Sequence, residues 1–255
     1  MWRSRKGPDF IIAGAQKGGT TSLFYYLAQH PQFVSQATKE IHFFDCQFSK
    51  GIDWYLNHFV ERKAFDKGFT GEASPYYLFH PLVPQRIKNN FAKTKIIILL
   101  RNPALRAWSQ YLHNRRFIPE RTVPFDLAFE KEAQIIAEEE QRLLEDDNAF
   151  SLIHQEHSYY SRGLYYQQVK RWLKVFPRRR ILILRSEDLY EKPQETYNQV
   201  CRFMKIKRHP LSEIKPFNQG TGQRIKAEDY QRLMAYYETD IQKLERLIGK
   251  RLDWS

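Results

Sequence analysis

The segment FIIAGAQKGGTTSLFYYLAQHP, which starts at Phe10, constrains the fold more than any other stretch. An apolar run, Phe10–Ala13, enters a glycine-bearing loop and leaves it with helical periodicity over Thr20–Gln29. His30-Pro31 stops that helix, because the residue before a proline is pushed out of the helical region. A strand that turns through glycines into a helix N-terminus aims backbone N–H groups at one spot and so makes an anion site. The triphosphate form of such a loop reads G-x-x-x-x-G-K-[ST]. Gly14 and Gly19 stand at its two glycine positions, but Thr20 stands where the lysine belongs, followed by Thr21, and the lysine is Lys17 in mid-loop. A lysine after the second glycine serves β- and γ-phosphates beside magnesium. Lys17 instead places its ammonium nearer a 5′-phosphate and the bond beyond it. Thr20, Thr21 and Ser22 add hydroxyl donors, so the loop is expected to bind a 5′-phosphate without the magnesium-triphosphate scheme.

Two further apolar runs, Ile96–Leu100 and Ile181–Leu184, are continuous, β-branched and too short for helices, which marks them as buried parallel strands. Helical periodicity follows the first over Ala104–Arg116, and Gln167–Val175 leads into the second through Phe176-Pro177. Phe125–Leu144 reads as a solvated acidic helix anchored by Leu127, Ile135, Ile136, Leu143 and Leu144. Glu228–Ile248 reads as a C-terminal helix with Leu233, Tyr236, Ile241 and Leu244 inward. Strands alternating with helices predict an α/β fold: a P-loop-like central parallel sheet with helices on both faces. No repeat or linker divides the chain, so residues 1–255 are expected to form a single domain.

The formal net charge is +12, and Glu130–Asp147 holds eight acidic against two basic residues, leaving +18 elsewhere. Such a basic surface suits a polyanionic ligand without choosing among nucleotide, nucleic acid, acidic polysaccharide and membrane surface. Cys46 and Cys201 are far apart and match no zinc spacing, and so low a cysteine count suits a reducing compartment. The N-terminal apolar run is too short for a signal peptide, and no run approaches the roughly 20 apolar residues that span a bilayer. The expected location is cytoplasmic.

A second anion site is written in RNPALRAWSQY. Arg101 follows the strand Ile96–Leu100, and Ser109 lies on the next helix. Ligands of open α/β sheets bind beyond the carboxyl ends of the strands, so Arg101 is expected to share the crevice of the glycine loop and fork onto phosphate oxygens. Two separated phosphate sites suggest a nucleotide phosphorylated at 5′ and again on the ribose. KEIHFFD, Lys39–Asp45, read as extended chain, puts Glu40, His42 and Phe44 on one face, with a carboxylate and an imidazole adjacent for proton transfer. A metal set of Glu40, His42 and Asp45 has no established ligand spacing.

Together these pieces resemble the sulfotransferases that use 3′-phosphoadenosine 5′-phosphosulfate (PAPS). GAQKGGTTSL is similar to that family's 5′-phosphosulfate loop, RNPALRAWSQY to its 3′-phosphate motif, and KEIHFFD to the segment of the catalytic glutamate in the heparan-sulfate type. GEASPYYLFHP, SRGLYYQQVKRWLKVFP and ILILRSEDL are looser matches, and the likeness spans residues 8 to 225. The resemblance implies that Lys17 sits by the oxygen bridging phosphate and sulfate, that Gly18, Gly19, Thr20 and Thr21 cradle the 5′-phosphate with Gln16 and Ser22 beside them, and that Arg101 and Ser109 hold the 3′-phosphate. It implies Glu40 as the base, with His42 and Asp45 orienting it or touching the acceptor, and no metal. The animal heparan-sulfate enzymes carry a membrane anchor and a cysteine-bracketed C-terminal loop. Here the corresponding loop is FNQGTGQR, whose Phe217, Asn218 and Gly220 would close over the nucleotide. The implied acceptors are a hydroxyl, less readily an amine, of a polysaccharide, lipid or hydroxy acyl chain, the basic surface leaning toward an acidic one. A P-loop kinase would require lysine at position 20. A nucleic-acid-binding module would require a recognition motif that the chain lacks.

Overall fold

The computed structural model describes residues 7–34, 40–59, 68–119, 124–215 and 222–254, with the side chains of 126–131 left out. Phe217, Asn218 and Gly220 therefore lie outside the described residues. Four parallel strands form the sheet: β1 (Phe10–Gly14), β2 (Gly71–Ala73), β3 (Lys95–Leu100) and β4 (Ile181–Arg185), in the order β2-β1-β3-β4. The chain leaves β1 toward β2 and then crosses back to lay β3 on the other side of β1. The order reverses between β1 and β3, where the crevice of an open sheet forms.

The helices are α1 (Thr20–Ala28), α2 (Phe43–Cys46), α3 (Gly51–Leu56), α4 (Val83–Phe91), α5 (Pro103–Phe117), α6 (Phe125–Glu145), α7 (Leu152–Glu156), α8 (Tyr165–Val175), α9 (Ser186–Glu191), α10 (Pro193–Met204) and α11 (Ala227–Ile248). Alternation along the strands separates the two cores. Ile11, Ala13, Ile96, Ile98, Leu100, Ile181 and Ile183 pack with Val83 and Ile87 of α4, Val169 and Trp172 of α8, and Leu244 and Ile248 of α11. Phe10, Ile12, Ile97, Leu99 and Leu184 pack on the opposite face with Leu23 and Leu27 of α1 and Tyr197 and Val200 of α10. Because both faces are covered, the strands read as unbroken apolar runs. Cys46 and Cys201 are free thiols. Among the described residues no helix is long and apolar enough to cross a membrane.

Some sequence expectations need correction. Strand β2 falls in GEASP, too short and too glycine-flanked to signal itself. Tyr237 faces inward from α11 while Tyr236 is 36% exposed. On α6, Ile136 and Leu143 are buried, whereas Ile135 and Leu144 are exposed. Nor is α6 merely a solvated helix. Its Glu132 is buried and accepts the backbone N–H groups of Tyr159, Tyr160 and Ser161 at 2.7, 2.8 and 2.7 Å. Burial raises the Glu132 carboxyl to about 7 against the opposing pull of those bonds. Glu132→Ala should destabilise the domain by about 1–3 kcal/mol through orphaned buried donors. Glu138→Ala, on the exposed side of the same helix, should stay within about 0.5 kcal/mol of wild type in urea unfolding.

Candidate active site

The loop after β1 is clamped to the end of β3: Ala15 N–H donates to Leu99 O at 2.7 Å, and Gly18 N–H to Ala15 O at 2.9 Å. A Cβ on Gly18 would lie 2.8 Å from Ala15 O and 2.9 Å from Leu99 O, so backbone proximity alone requires glycine there. Gly19 caps α1 in the left-handed region, φ 89°, and a Cβ on it would meet the Tyr190 hydroxyl at 3.0 Å. Lys17 also has positive φ, 66°. The loop opens onto a cleft of about 390 Å³ lined by Gln16, Lys17, Gly19, Thr20 and Thr21, together with Glu40, His42, Arg101 and Ser109. Both phosphate motifs and the glutamate segment thus meet in one crevice at the β1/β3 divide. Gly18 and Ser22 are buried behind its wall, not on it. Arg101 Nη1 donates to Lys17 O at 3.0 Å. Burial lowers the pKa of the Lys17 ammonium, and Arg101 and Arg106 lower it further while Glu40 opposes them. An anion at the N-terminus of α1 would relieve that crowding.

Glu40 and His42 do meet, but not by sharing the face of a strand. Both have positive φ, 56° and 51°, and Phe43 begins α2 with His42 as its N-cap. Helical spacing then brings Asp45 Oδ2 to within 2.7 Å of His42 Nδ1, while Glu40 Oε2 stands 3.7 Å from Nε2. Burial pulls the imidazole pKa down, but the hydrogen bonds to Asp45 and Glu40 outweigh it and push it up to about 10. The two ring nitrogens of His42 thus face carboxylate oxygens of Asp45 and Glu40. The donor atoms of His42, Asp45 and Cys46 lie within 4.8 Å of one another, and burial pushes the Cys46 thiol up.

This strained turn rests on a buried network that sequence reading did not find. His42 N–H donates to Ser74 Oγ at 3.3 Å, and the N–H groups of Phe43 and Phe44 donate to the Tyr77 hydroxyl at 3.0 and 3.3 Å. Ser74, Tyr77 and Tyr55 in turn donate to the Glu72 carboxylate at 2.9, 3.2 and 2.6 Å. Burial raises Glu72 to about 7, with the hydroxyl bonds pulling the other way. The network stands where the short strand β2 ends, beside β1.

Also missed were Tyr76, His113, Asn114, Arg162 and Tyr190, all on the cleft wall. His113 was within reach, since it lies one helical turn beyond Ser109 on α5. Burial, then Lys17, lowers its pKa. Arg162 carried no local signal. Its guanidinium sits over the rings of Tyr76 and Phe79, 4.8 and 5.3 Å from their centres, and bonds Gln16 Oε1 and the carbonyls of His154 and Gln155.

Glu72→Gln should lower the melting temperature by several degrees, about 1–3 kcal/mol, because a carboxamide cannot accept from all three hydroxyls. The raised His42 pKa gives a second expectation. Its stabilisation is complete below the ordinary histidine value of 6.5 and is lost as pH rises to about 10. The melting-temperature gap between wild type and His42→Gln should therefore be widest near pH 6 and close toward pH 10.

Comparison with known proteins shows the family. A family model described as "Sulfotransferase domain" matches residues 7–246. The chain is 26% identical to the membrane-associated sulfotransferase kil1 of Dictyostelium discoideum, over 97% of this chain and 66% of that protein. It is 28% identical to heparan sulfate glucosamine 3-O-sulfotransferase 6 of Mus musculus, over 98% of this chain and 74% of that one. The crystal structure of a sulfotransferase from Alicyclobacillus acidocaldarius superposes with a TM-score of 0.78 at 29% identity, covering 98% of this chain and 99% of that one. This chain therefore belongs to the sulfotransferase domain family.

Proposed function

We propose that the domain transfers a sulfuryl group from PAPS to an acceptor hydroxyl, with Glu40 as general base. The observation that carries this reading is the single cleft in which Lys17, Arg101, Ser109 and Glu40 converge. PAPS is the substrate whose two phosphorylated ends match two separated anion sites. The N-terminus of α1, with Thr20 and Thr21, would take the 5′-phosphate, and Arg101 with Ser109 the 3′-phosphate. The absence of acidic residues in the first turn of α1 supports this.

In the reaction the acceptor oxygen bonds to sulfur as the sulfur–oxygen bond to the 5′-phosphate breaks. Glu40 takes the hydroxyl proton, and the departing electron pair stays on the phosphate oxygen. Lys17 stands to neutralise that growing charge. The ring of His42, held by Asp45, turns the Glu40 carboxylate toward the acceptor. Phe217, Asn218 and Gly220 remain proposed closing residues of the nucleotide site, on the strength of the motif alone. The kinase reading has little support, since position 20 is threonine and lies on the cleft wall.

Calorimetric titration with 3′-phosphoadenosine 5′-phosphate should give metal-independent binding, weakened about tenfold or more by Arg101→Ala through loss of a charge-assisted pair. Preference for ADP with magnesium would overturn the reading. Glu40→Gln should lower kcat by about 10²–10⁴-fold and leave bisphosphate affinity unchanged.

A further inference from the structure

We infer that Trp254 is a positioning residue for the anion site at Arg101: through Glu187 and Asn102 it holds the turn from which Arg101 and Ser109 reach the cleft. This rests on the reading above, in which those two residues take the 3′-phosphate of the nucleotide. Trp254 is buried, is not among the residues lining the cleft, and lies 152 residues from Asn102 along the chain.

Arg101 directly follows β3, and Asn102 is the N-cap of α5, the helix that carries Ser109. The geometry of one turn therefore sets both residues. Its backbone is held on each side. Leu100 is paired with Arg185 of β4, the Tyr165 hydroxyl donates to Arg101 O at 3.0 Å, and Asn102 N–H donates to Glu187 Oε1 at 2.9 Å. The Asn102 side chain is engaged as well. Its Oδ1 accepts Leu105 N–H at 3.1 Å, the bond that caps α5. Its Nδ2 donates to the Tyr230 hydroxyl at 3.0 Å and to Trp254 O at 3.2 Å.

Trp254 closes this set. Its Nε1–H donates to Glu187 Oε2 at 3.1 Å, so the two oxygens of one carboxylate tie Asn102 to Trp254. Its ring centre lies 5.9 Å from that of Tyr165. Trp254 thus meets Tyr165, Glu187 and Asn102, the three residues whose polar groups fix the turn. The segment that carries it is anchored in its own right: Leu252 N–H donates to Glu245 Oε1 at 2.7 Å, and Arg185 Nη1 stands 3.5 Å from Asp253 Oδ2. Asp253 has positive φ, 47°, a backbone state that persists only where the surroundings over-determine it. A side chain that merely filled the core would need neither its N–H nor its carbonyl aimed at this turn. The aim matters because a forked guanidinium contact to phosphate depends on distance and angle, and a small displacement weakens it steeply.

The test is calorimetric titration with 3′-phosphoadenosine 5′-phosphate and with adenosine 5′-monophosphate, which lacks the 3′-phosphate. It compares wild type, Trp254→Phe, Glu187→Gln, Arg101→Ala, and Trp254→Phe in the Arg101→Ala background. Phenylalanine keeps a ring and removes the donor. Glutamine keeps an acceptor for Asn102 N–H and loses the one for the indole. Trp254→Phe and Glu187→Gln should each weaken the bisphosphate about 3–10-fold, the size of one lost hydrogen bond. The monophosphate should stay within about twofold of wild type, and Trp254→Phe should add less than about twofold once Arg101 is gone. Three results would overturn the inference: unchanged bisphosphate affinity in both single variants, an equal loss for both nucleotides, or the same loss with and without Arg101. Glu187→Gln carries the test alone if Trp254→Phe does not fold. A wild type that does not bind the bisphosphate, or binds it no better than Arg101→Ala does, would instead sink the two-phosphate reading, and this inference with it.

Discussion

The site depends on the contact between the loop after β1 and the last carbonyl-bearing turn of β3. Ala15 N–H bonds Leu99 O at 2.7 Å, and Gly18 fits so close to Leu99 O that no side chain could stand there. This contact fixes where the loop turns and hence where α1 points its N-terminus. It also sets the loop against Arg101, which follows β3 directly and bonds Lys17 O. Lys17 and Arg101, more than 80 residues apart, line one cleft because β1 and β3 are neighbours with parallel ends.

Opposite this rigid loop stands a turn whose backbone is unfavourable by itself. Positive φ at a residue other than glycine costs about 1–3 kcal/mol and persists only when its surroundings over-determine it. Lys17, Glu40 and His42 all have it, and all three line the cleft. For the Glu40–His42 turn, the determining surroundings are the hydroxyls of Ser74 and Tyr77 anchored on the buried Glu72. A carboxylate hidden in the core is expensive, and three donors partly offset that. The same network positions the N-terminus of α2, so that Asp45 reaches His42 and His42 reaches Glu40.

Charge is distributed by the same architecture. Lys17 and Arg101 line the cleft onto which the N-terminus of α1 opens. The acidic helix α6 holds the turn before Arg162 through Glu132.

By itself the sequence determined the elements that are long, continuous and locally coded. Buried parallel strands need unbroken apolar runs, and Phe10–Gly14, Lys95–Leu100 and Ile181–Arg185 supply them. A glycine loop before a helix needs Gly18 and Gly19, and the mid-loop Lys17 separates this site from a triphosphate site. The cluster of Lys17, Glu40, Arg101 and Ser109 was legible because each stands in a short motif tied to a strand end. Tertiary structure alone decided what is not periodic. The strand in GEASP exists only because β1 offers an edge, and Glu72 matters only because Tyr55 and Tyr77 are folded onto it. Arg162 reaches Gln16 only across 146 residues of chain. Glu40 and His42 meet through left-handed backbone, which no hydrophobic pattern encodes. Local signals follow from the period of the backbone; contacts between distant segments follow from packing, and those contacts complete the cleft wall.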